Sequence, residues 1–240
     1  MNKNSDTVCE MFNAISPTYD RVNRIVSFGI DRIWRNRLAR ELPSKKELHL
    51  LDIATGTADQ LIALLAHCPN ISRALGIDVA KEMLDLGNKK LFRRGFSTRA
   101  SLLQASALAL PAASESMDCT TISFGVRNVG DFFASLREMY RVLRPGGQAL
   151  ILEFSLPRNR MIRAAHLFYL RQLLPRIGGL ISGNRKAYDY LNQTIEKFPY
   201  GEAFCERMGE AGFCDVEAIP MTFGVATLYK GKKPCTCSNG

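Results

Sequence analysis

LDIATGTADQ, residues 51–60, carries the clearest fold signal in this chain. A short apolar run ends in Asp52, a turn follows with Gly56 at its centre, and a helical pattern starts near Asp59. That succession describes a buried strand feeding a helix. In open α/β sheets, ligands sit against the carboxyl ends of strands, at turns of this kind. Ala54, Gly56 and Ala58 occupy alternating positions where nucleotide-binding turns usually place glycines, and only one of the three is glycine. Taken alone, the stretch reads equally as an ordinary strand-to-helix connection.

Working outward, the same rhythm repeats. ELHLLDIA is a first strand and DQLIALLAHC (59–68) a helix; RALGIDVA is a second strand and KEMLDLGNKKLFRR (81–94) a helix with a basic last turn, which suits the helix dipole. ASLLQAS and SMDCTTISF are third and fourth strands, DFFASLREMYRVL (131–143) is a helix that RPGG (144–147) should stop, and QALILEFS is a fifth strand. Strands alternating with helices predict an α/β protein with a parallel, doubly wound sheet. GEAFCERMGEAGF is a further helix, and DVEAIPM with GVATLYKGKK suggests a closing hairpin with antiparallel pairing. The expected organisation is one domain over residues 1–240: an N-terminal helical cap (1–47, with Trp34 and Leu38 on an apolar stripe), a ligand-binding core (48–156), a helical cap (157–200), a C-terminal helix and hairpin (201–233) and a disordered tail (234–240).

A length of 240 residues, 46% hydrophobic and 23% charged, fits one ordinary globular domain. Charge interrupts every apolar run well short of the roughly 18 residues that span a bilayer. MNKNSDTVCEMF lacks an apolar signal core, so no export is expected and a cytoplasmic location is. The seven cysteines are scattered and odd in number, as reduced thiols are; Cys235-Thr-Cys237 has no second ligand pair, and no metal is expected. The net charge of +9 includes seven basic and no acidic residues between Arg158 and Lys186, alternating with apolar ones. This pattern resembles an interfacial amphipathic segment more than a nucleic-acid arm, so an anionic membrane surface is the expected partner and nucleic acid is not.

The second strand ends in Asp78, about 20 residues past the glycine turn, where an acidic residue can accept both hydroxyls of a ribose. The acidic Asp59 and the lack of a basic phosphate cradle argue against a dinucleotide and for a cationic nucleoside such as S-adenosylmethionine. QASALALPAASESMD follows the third strand, where an adenine edge is read in such folds; here Ser106, Ala107 and Leu110-Pro111 stand, and a serine hydroxyl accepts without charge. SFGVRNVGD (123–131) closes the fourth strand with a guanidinium and an amide side by side, Arg127 and Asn128, at the rim of an apolar core.

YDRVNRIVSFGIDRIWR (19–35), LDIATGTAD, SFGVRNVGD, YRVLRPGG, LEFS (152–155), YDYLNQTIEKFP (188–199) and GVATLYKGKK together resemble the ubiquinone/menaquinone biosynthesis C-methyltransferase family, collinearly from about Phe12 to Lys233. The resemblance implies a Rossmann-like, seven-stranded class I methyltransferase sheet with helices on both faces and a helical cap. It also implies transfer of a methyl from S-adenosylmethionine to a ring carbon of a prenylated quinol in respiratory quinone biosynthesis. Carried over residue by residue, the family's cofactor positions fall on Thr57, Asp78, Ser106 with Ala107, and Ser123; Asp52 and Gly56 complete the expected set from the turn itself. Two departures stand out: Ala58 replaces glycine, placing a methyl near the expected methionine and strained if its φ is positive, and Ser106 replaces Asn or Asp.

C-methylation of a quinol needs a phenolic proton removed, the ring oriented and water excluded. Arg127 can stabilise the phenolate or orient a water that takes the proton, and Asn128 can fix the second ring oxygen. Tyr188 and Tyr190 from the cap, with Tyr19 and Asp20 from the N-terminal helices, would close the pocket, Asp20 being the expected direct base. His166 reads as packed rather than catalytic. Glu153 reads equally as lining the cofactor pocket or pairing with Arg127. The basic stretch 158–186 would rest on the inner face of the membrane, its apolar face leading the prenyl tail inward, and a homodimer or a quinone-biosynthesis complex stays open. Two rivals remain: an RNA methyltransferase, favoured by charge, and a catalytically silent methyltransferase-like scaffold, supported by Ala58 and Ser106.

Overall fold

The alternation of strands and helices from residue 48 onward is present in the computed structural model, which describes residues 3–235, without the side chains of residues 3–7, 185, 186 and 189. Cys237 and most of the expected tail lie outside the described residues. The strands are β1 (Leu48–Ile53), β2 (Ile71–Asp78), β3 (Ala100–Gln104), β4 (Met117–Ser123), β5 (Leu143–Phe154), β6 (Cys214–Met221) and β7 (Ala226–Lys232). They form one sheet of order β3-β2-β1-β4-β5-β7-β6. β1 to β5 pair in parallel, whereas β7 runs antiparallel to both β5 and β6, as the short hairpin connection requires. Strand order reverses between β1 and β4, which opens a crevice at their carboxyl ends.

The sheet buries both faces, which is why its strands read as near-continuous apolar runs. Leu50, Leu152 and Leu228 pack with Leu61 and Leu64 of α3 (Asp59–His67) and with Trp34 and Leu38 of α2 (Ile30–Ala39). On the other face Leu51, Ile122 and Ile151 meet Leu136 and Met139 of α5 (Phe132–Val142) and Phe204 of α9 (Glu202–Glu210). Asp131 caps α5, its carboxylate accepting from the Ala134 N–H at 2.9 Å. RPGG stops α5 as expected, the helix ending at Val142; the difference is that β5 begins before QALILEFS and includes residues 144–147, where its pairing with β4 is irregular. Gly147 has no room for a side chain, since a Cβ would stand 2.8 Å from the Arg144 carbonyl oxygen.

The two caps read separately from the sequence are one layer. α1 (Lys3–Val26) contributes Ile15 and Val22 to a cluster with Met83 of α4 (Lys81–Arg93), Leu170, Leu174 of α7 (Leu174–Ser182), and Tyr188 and Ile195 of α8 (Arg185–Lys197). α6 (Arg160–Phe168) joins α7 through a π-helical turn at Tyr169–Leu173. This layer lies over the crevice between β1 and β4.

Candidate active site

The turn after β1 keeps its backbone pattern with alanine in two of three places. Ala54, Gly56 and Ala58 have φ values of 50°, 55° and 63°, all in the left-handed region. An alanine there costs about 1 kcal/mol, so the turn is strained, as foreseen for Ala58. The expected crowding of methionine is overturned: Ala58 is fully buried and its methyl lies against Gly87 of α4, facing the core. The Ala54 methyl explains Gly125, where a Cβ would stand 2.6 Å from it. Gly125 therefore lets the turns after β1 and β4 touch; the reversal itself falls on Phe124, whose φ is 58°.

Asp52 is almost wholly buried, with its two oxygens taken by the Thr121 hydroxyl at 2.5 Å and the Thr55 hydroxyl at 2.6 Å. Burial pushes its carboxyl up to about 6, against the pull of those hydroxyls. Asp78 accepts from the Gly56 N–H at 2.8 Å and the Ala80 N–H at 2.9 Å, tying the turn to β2. Burial raises its pKa too, opposed by those N–H donors. Gly56, Asp78, Ser106, Ala107 and Ser123 line one cleft of about 100 Å³. The Ser106 hydroxyl already accepts from the Leu108 N–H at 3.1 Å, leaving its proton and one lone pair for a ligand. Among the described residues lining the cleft there is no Lys or Arg, which suits a nucleoside without a pyrophosphate.

Asp52 and Thr57 line a smaller recess beside the cleft, with Arg35, Asp59, Gln60 and Ser123. Gln60, which sequence reasoning missed, is 2% exposed; its Oε1 accepts from the Ser123 hydroxyl at 3.1 Å and its Nε2 has no partner among the described residues. The only hint in sequence was a polar residue on the otherwise apolar face of α3.

A second cavity, of about 290 Å³ and mostly apolar, opens from the cleft past Phe12, Tyr19, Phe124 and Asn128. Val26, Phe28, Trp34, Leu170, Leu174 and Leu191 form much of its wall. Arg127 lies on that wall, 4% exposed, ion-paired to the fully buried Glu153 and donating to the Phe124 carbonyl at 2.7 Å. Glu153 is thus the structural partner of Arg127; burial pushes its carboxyl up while Arg127 pulls it down. The Arg127 guanidinium also stacks 5.3 Å from the centre of Phe154, and Nε of Arg127 and Oδ1 of Asn128 are buried without partners among the described residues. Burying such groups unpaired is costly, and sites where proteins tolerate it are commonly ligand sites.

Of the other expected catalytic residues, Asp20 stands off the cavity wall and Tyr188 on it. Asp20 is not on the cavity wall: its carboxylate accepts from the Thr57 hydroxyl at 2.6 Å and from Lys90 at 2.9 Å, while Lys90 also pairs with Asp59, joining α1, α3 and α4. A carboxylate so engaged faces the recess rather than the apolar cavity and ties α1 to α3 and α4. Tyr188 does reach the wall, yet it is 4% exposed and its ring lies flat against Gly178, where an added Cβ would be 2.6 Å away; it packs the cap. Tyr190 and His166 share the cavity. Burial raises the Tyr190 phenol against the opposing pull of Arg127, and burial alone lowers the His166 imidazole.

The sequence as a whole settles the lineage, because the profile of the ubiE/COQ5 methyltransferase family matches residues 1–233. The chain belongs to the ubiE/COQ5 methyltransferase family. Membership makes it a methyltransferase and implies S-adenosylmethionine as methyl donor. It is 40% identical over 233 residues to the ubiquinone/menaquinone biosynthesis C-methyltransferase of Geotalea uraniireducens, covering 97% of this chain and 99% of that one. It is 42% identical over 224 residues to the demethylmenaquinone methyltransferase of Thermus thermophilus, covering 93% and 100%. Solved structures agree on the fold. A methyltransferase of Thermotoga maritima superposes with a TM-score of 0.65 at 17% identity, over 94% of this chain and 99% of that one. The [4+2]-cyclase SpnF superposes at 0.69 and 16%, over 96% and 97%. That a cyclase shares the architecture shows why the family members, and not the fold, speak to chemistry.

Proposed function

We propose that the protein transfers the methyl group of S-adenosylmethionine to a ring carbon of a prenylated quinol, as the names of its relatives suggest. The observation that carries this reading is the junction of the cleft that holds Asp78 with the apolar cavity at Asn128, beside Arg127 on the cavity wall, each of the two with a buried polar atom that has no partner among the described residues. When bound, S-adenosylmethionine supplies an electrophilic methyl group carried on a sulfonium. Asp78 would take the ribose hydroxyls and Ser106 with Ala107 the adenine edge, with Ser123 and Thr57 beside the amino-acid end. Arg127, held rigid by Glu153, stabilises the phenolate that makes the ortho carbon nucleophilic, and Asn128 orients the ring. With Asp20 engaged elsewhere, a water ordered by Arg127 takes the phenolic proton. The aromatic wall excludes other water and receives the first part of the tail.

The tail has to leave a bilayer, and among the described residues no helix is long and apolar enough to cross one. The docking face in this reading is not the 158–186 stretch alone. Arg158 and Arg171 are paired with Glu202 and Glu196, although no acid lies within that stretch. Around the cavity mouth, Phe28 and Phe223 are 79% and 78% exposed, each at a turn tip with positive φ, and Ile25, Ile33 and Phe168 are exposed nearby. Exposed Arg21, Arg32, Arg160 and Arg163 accompany them on α1, α2 and α6. Apolar tips ringed by arginines fit an anionic leaflet, which would place the protein at the inner face of the membrane.

The test is incubation with methyl-labelled S-adenosylmethionine and either demethylmenaquinol or bulk RNA. Label should enter the lipid extract; label in RNA, or none in either, would sink the proposal. Arg127→Ala should lower kcat by about 10²–10³-fold, the cost of removing a donor that stabilises an oxyanion, while leaving donor affinity nearly unchanged.

A further inference from the structure

The recess beside the cleft holds two buried donors without acceptors. Nε2 of Gln60 is one. The other belongs to Arg35 of α2, whose side chain is 12% exposed, whose Nε is buried and unpaired, and for which no hydrogen bond exists among the described residues. Its nearest carboxylate, Asp31, is 3.7 Å away and already holds Arg24 at 2.7 Å and the Ser27 hydroxyl at 2.9 Å. The guanidinium is held by stacking, 5.6 Å from the centre of the Phe124 ring. Carboxylates offset the charge of this guanidinium, but its donors make no hydrogen bond among the described residues, and burying donors unsatisfied is costly. A bound anion would remove that cost.

The chemistry of the recess narrows the anion. Its walls oppose donors, Arg35 and Gln60, to the carboxylates of Asp20, Asp52 and Asp59, of which Asp20 and Asp59 already hold Lys90, with the Thr55, Thr57 and Ser123 hydroxyls between. Such a set complements a zwitterion carrying an ammonium and a carboxylate a few ångströms apart. Arg35 also reaches the apolar cavity, so a quinol oxygen is the rival anion. Gln60 does not line that cavity, and it shares the recess with Arg35.

We propose that Arg35 and Gln60 bind the α-carboxylate of the methyl donor's amino-acid end, with Asp52 facing its ammonium. This rests on the reading of S-adenosylmethionine as donor. It gives the N-terminal layer a role in the reaction: α2 supplies a ligand to the donor, so the donor and the layer that covers it order together. Because Arg35 is aimed at the end of the donor remote from the adenine, it sets which nucleosides bind productively. A nucleoside lacking the amino-acid group leaves both donors unpaired.

The test is calorimetric titration of the full-length protein with S-adenosylhomocysteine and with 5′-methylthioadenosine, which lacks the amino-acid end. The proteins are the wild type, Arg35→Ala, Arg35→Lys and the near-isosteric Gln60→Leu. Losing a charge-assisted hydrogen bond weakens binding about 10- to 100-fold, and that loss is expected for S-adenosylhomocysteine with Arg35→Ala. Gln60→Leu should show a smaller loss of the same kind, and Arg35→Lys, which keeps charge without the planar fork, an intermediate one. Affinity for 5′-methylthioadenosine should stay within about twofold throughout, since none of its hydrogen-bonding partners is removed. An equal fall for both nucleosides would overturn the proposal by showing that Arg35 only supports the fold. Unchanged nucleoside binding with a raised KM for demethylmenaquinol would overturn it in favour of the quinol oxygen. A wild type that binds neither nucleoside would instead overturn the reading of the donor.

Discussion

Asp52, next to last in β1, has a hydroxyl on each carboxylate oxygen and no ion pair among the described residues. Its pKa of about 6 lies above the usual carboxylate value, so folding favours the protonated form. The unfolded chain loses this proton near pH 4 and the folded one near 6, so Asp52 costs stability as pH rises through that window. Two pKa units correspond to about 3 kcal/mol. Denaturant unfolding of Asp52→Asn at pH 4 and pH 7 should show a smaller fall in stability across that interval than wild type, and equal falls would contradict the burial argument. Arg127 and Asn128 were legible in sequence as a polar pair where a strand should end. The engagement of Glu153 was legible only as one of two readings, because it depends on β4 and β5 being neighbours in register. Arg35 and Gln60 were not legible as ligands, since each is an ordinary residue of an amphipathic helix until the recess sets them side by side.

At the scale of elements, β1 to β5 and their helices were readable because burial on both faces leaves unbroken apolar runs between glycine turns. RPGG was rightly read as ending α5, but the start of β5 was placed too late, because proline and glycine also serve a strand that starts irregularly: Gly146 takes a φ of 77° and Gly147 leaves no space for a Cβ. The caps were readable as helical, while their union over the crevice rests on contacts such as Tyr188 against Gly178 that no local pattern announces. Gly178→Ala forces a methyl to within 2.6 Å of that ring. Overpacking of this kind costs about 1–3 kcal/mol, and it should fall on the cap. Limited proteolysis should cut within residues 174–197 faster than in wild type, while the sheet unfolds at nearly the same denaturant concentration. Equal protection of the cap would show that α7 and α8 do not depend on this contact.

For the whole molecule, the net charge of +9 was visible at once, but its meaning depends on arrangement. Acids distant in sequence neutralise two of the arginines in the 158–186 stretch, and the apolar tips come from the turns at Phe28 and Phe223. Sedimentation with vesicles containing an anionic lipid should capture the protein, less so at high salt as the arginines are screened. Replacing both Phe28 and Phe223 with Ser should lower the partition coefficient at least about tenfold, from the lost transfer of two aromatic side chains. Partition unchanged by the double substitution would move the docking face elsewhere. Chain order alone specified the alternating elements, the strand-end acids Asp52 and Asp78, the Arg127–Asn128 pair and, through collinear motifs, the family, because each is a local pattern or a spacing along one chain. Which carboxylate is free, which arginine is paired and which glycine is a contact followed from the fold, because those properties belong to residues that meet only after the sheet has closed and the cap has settled on it.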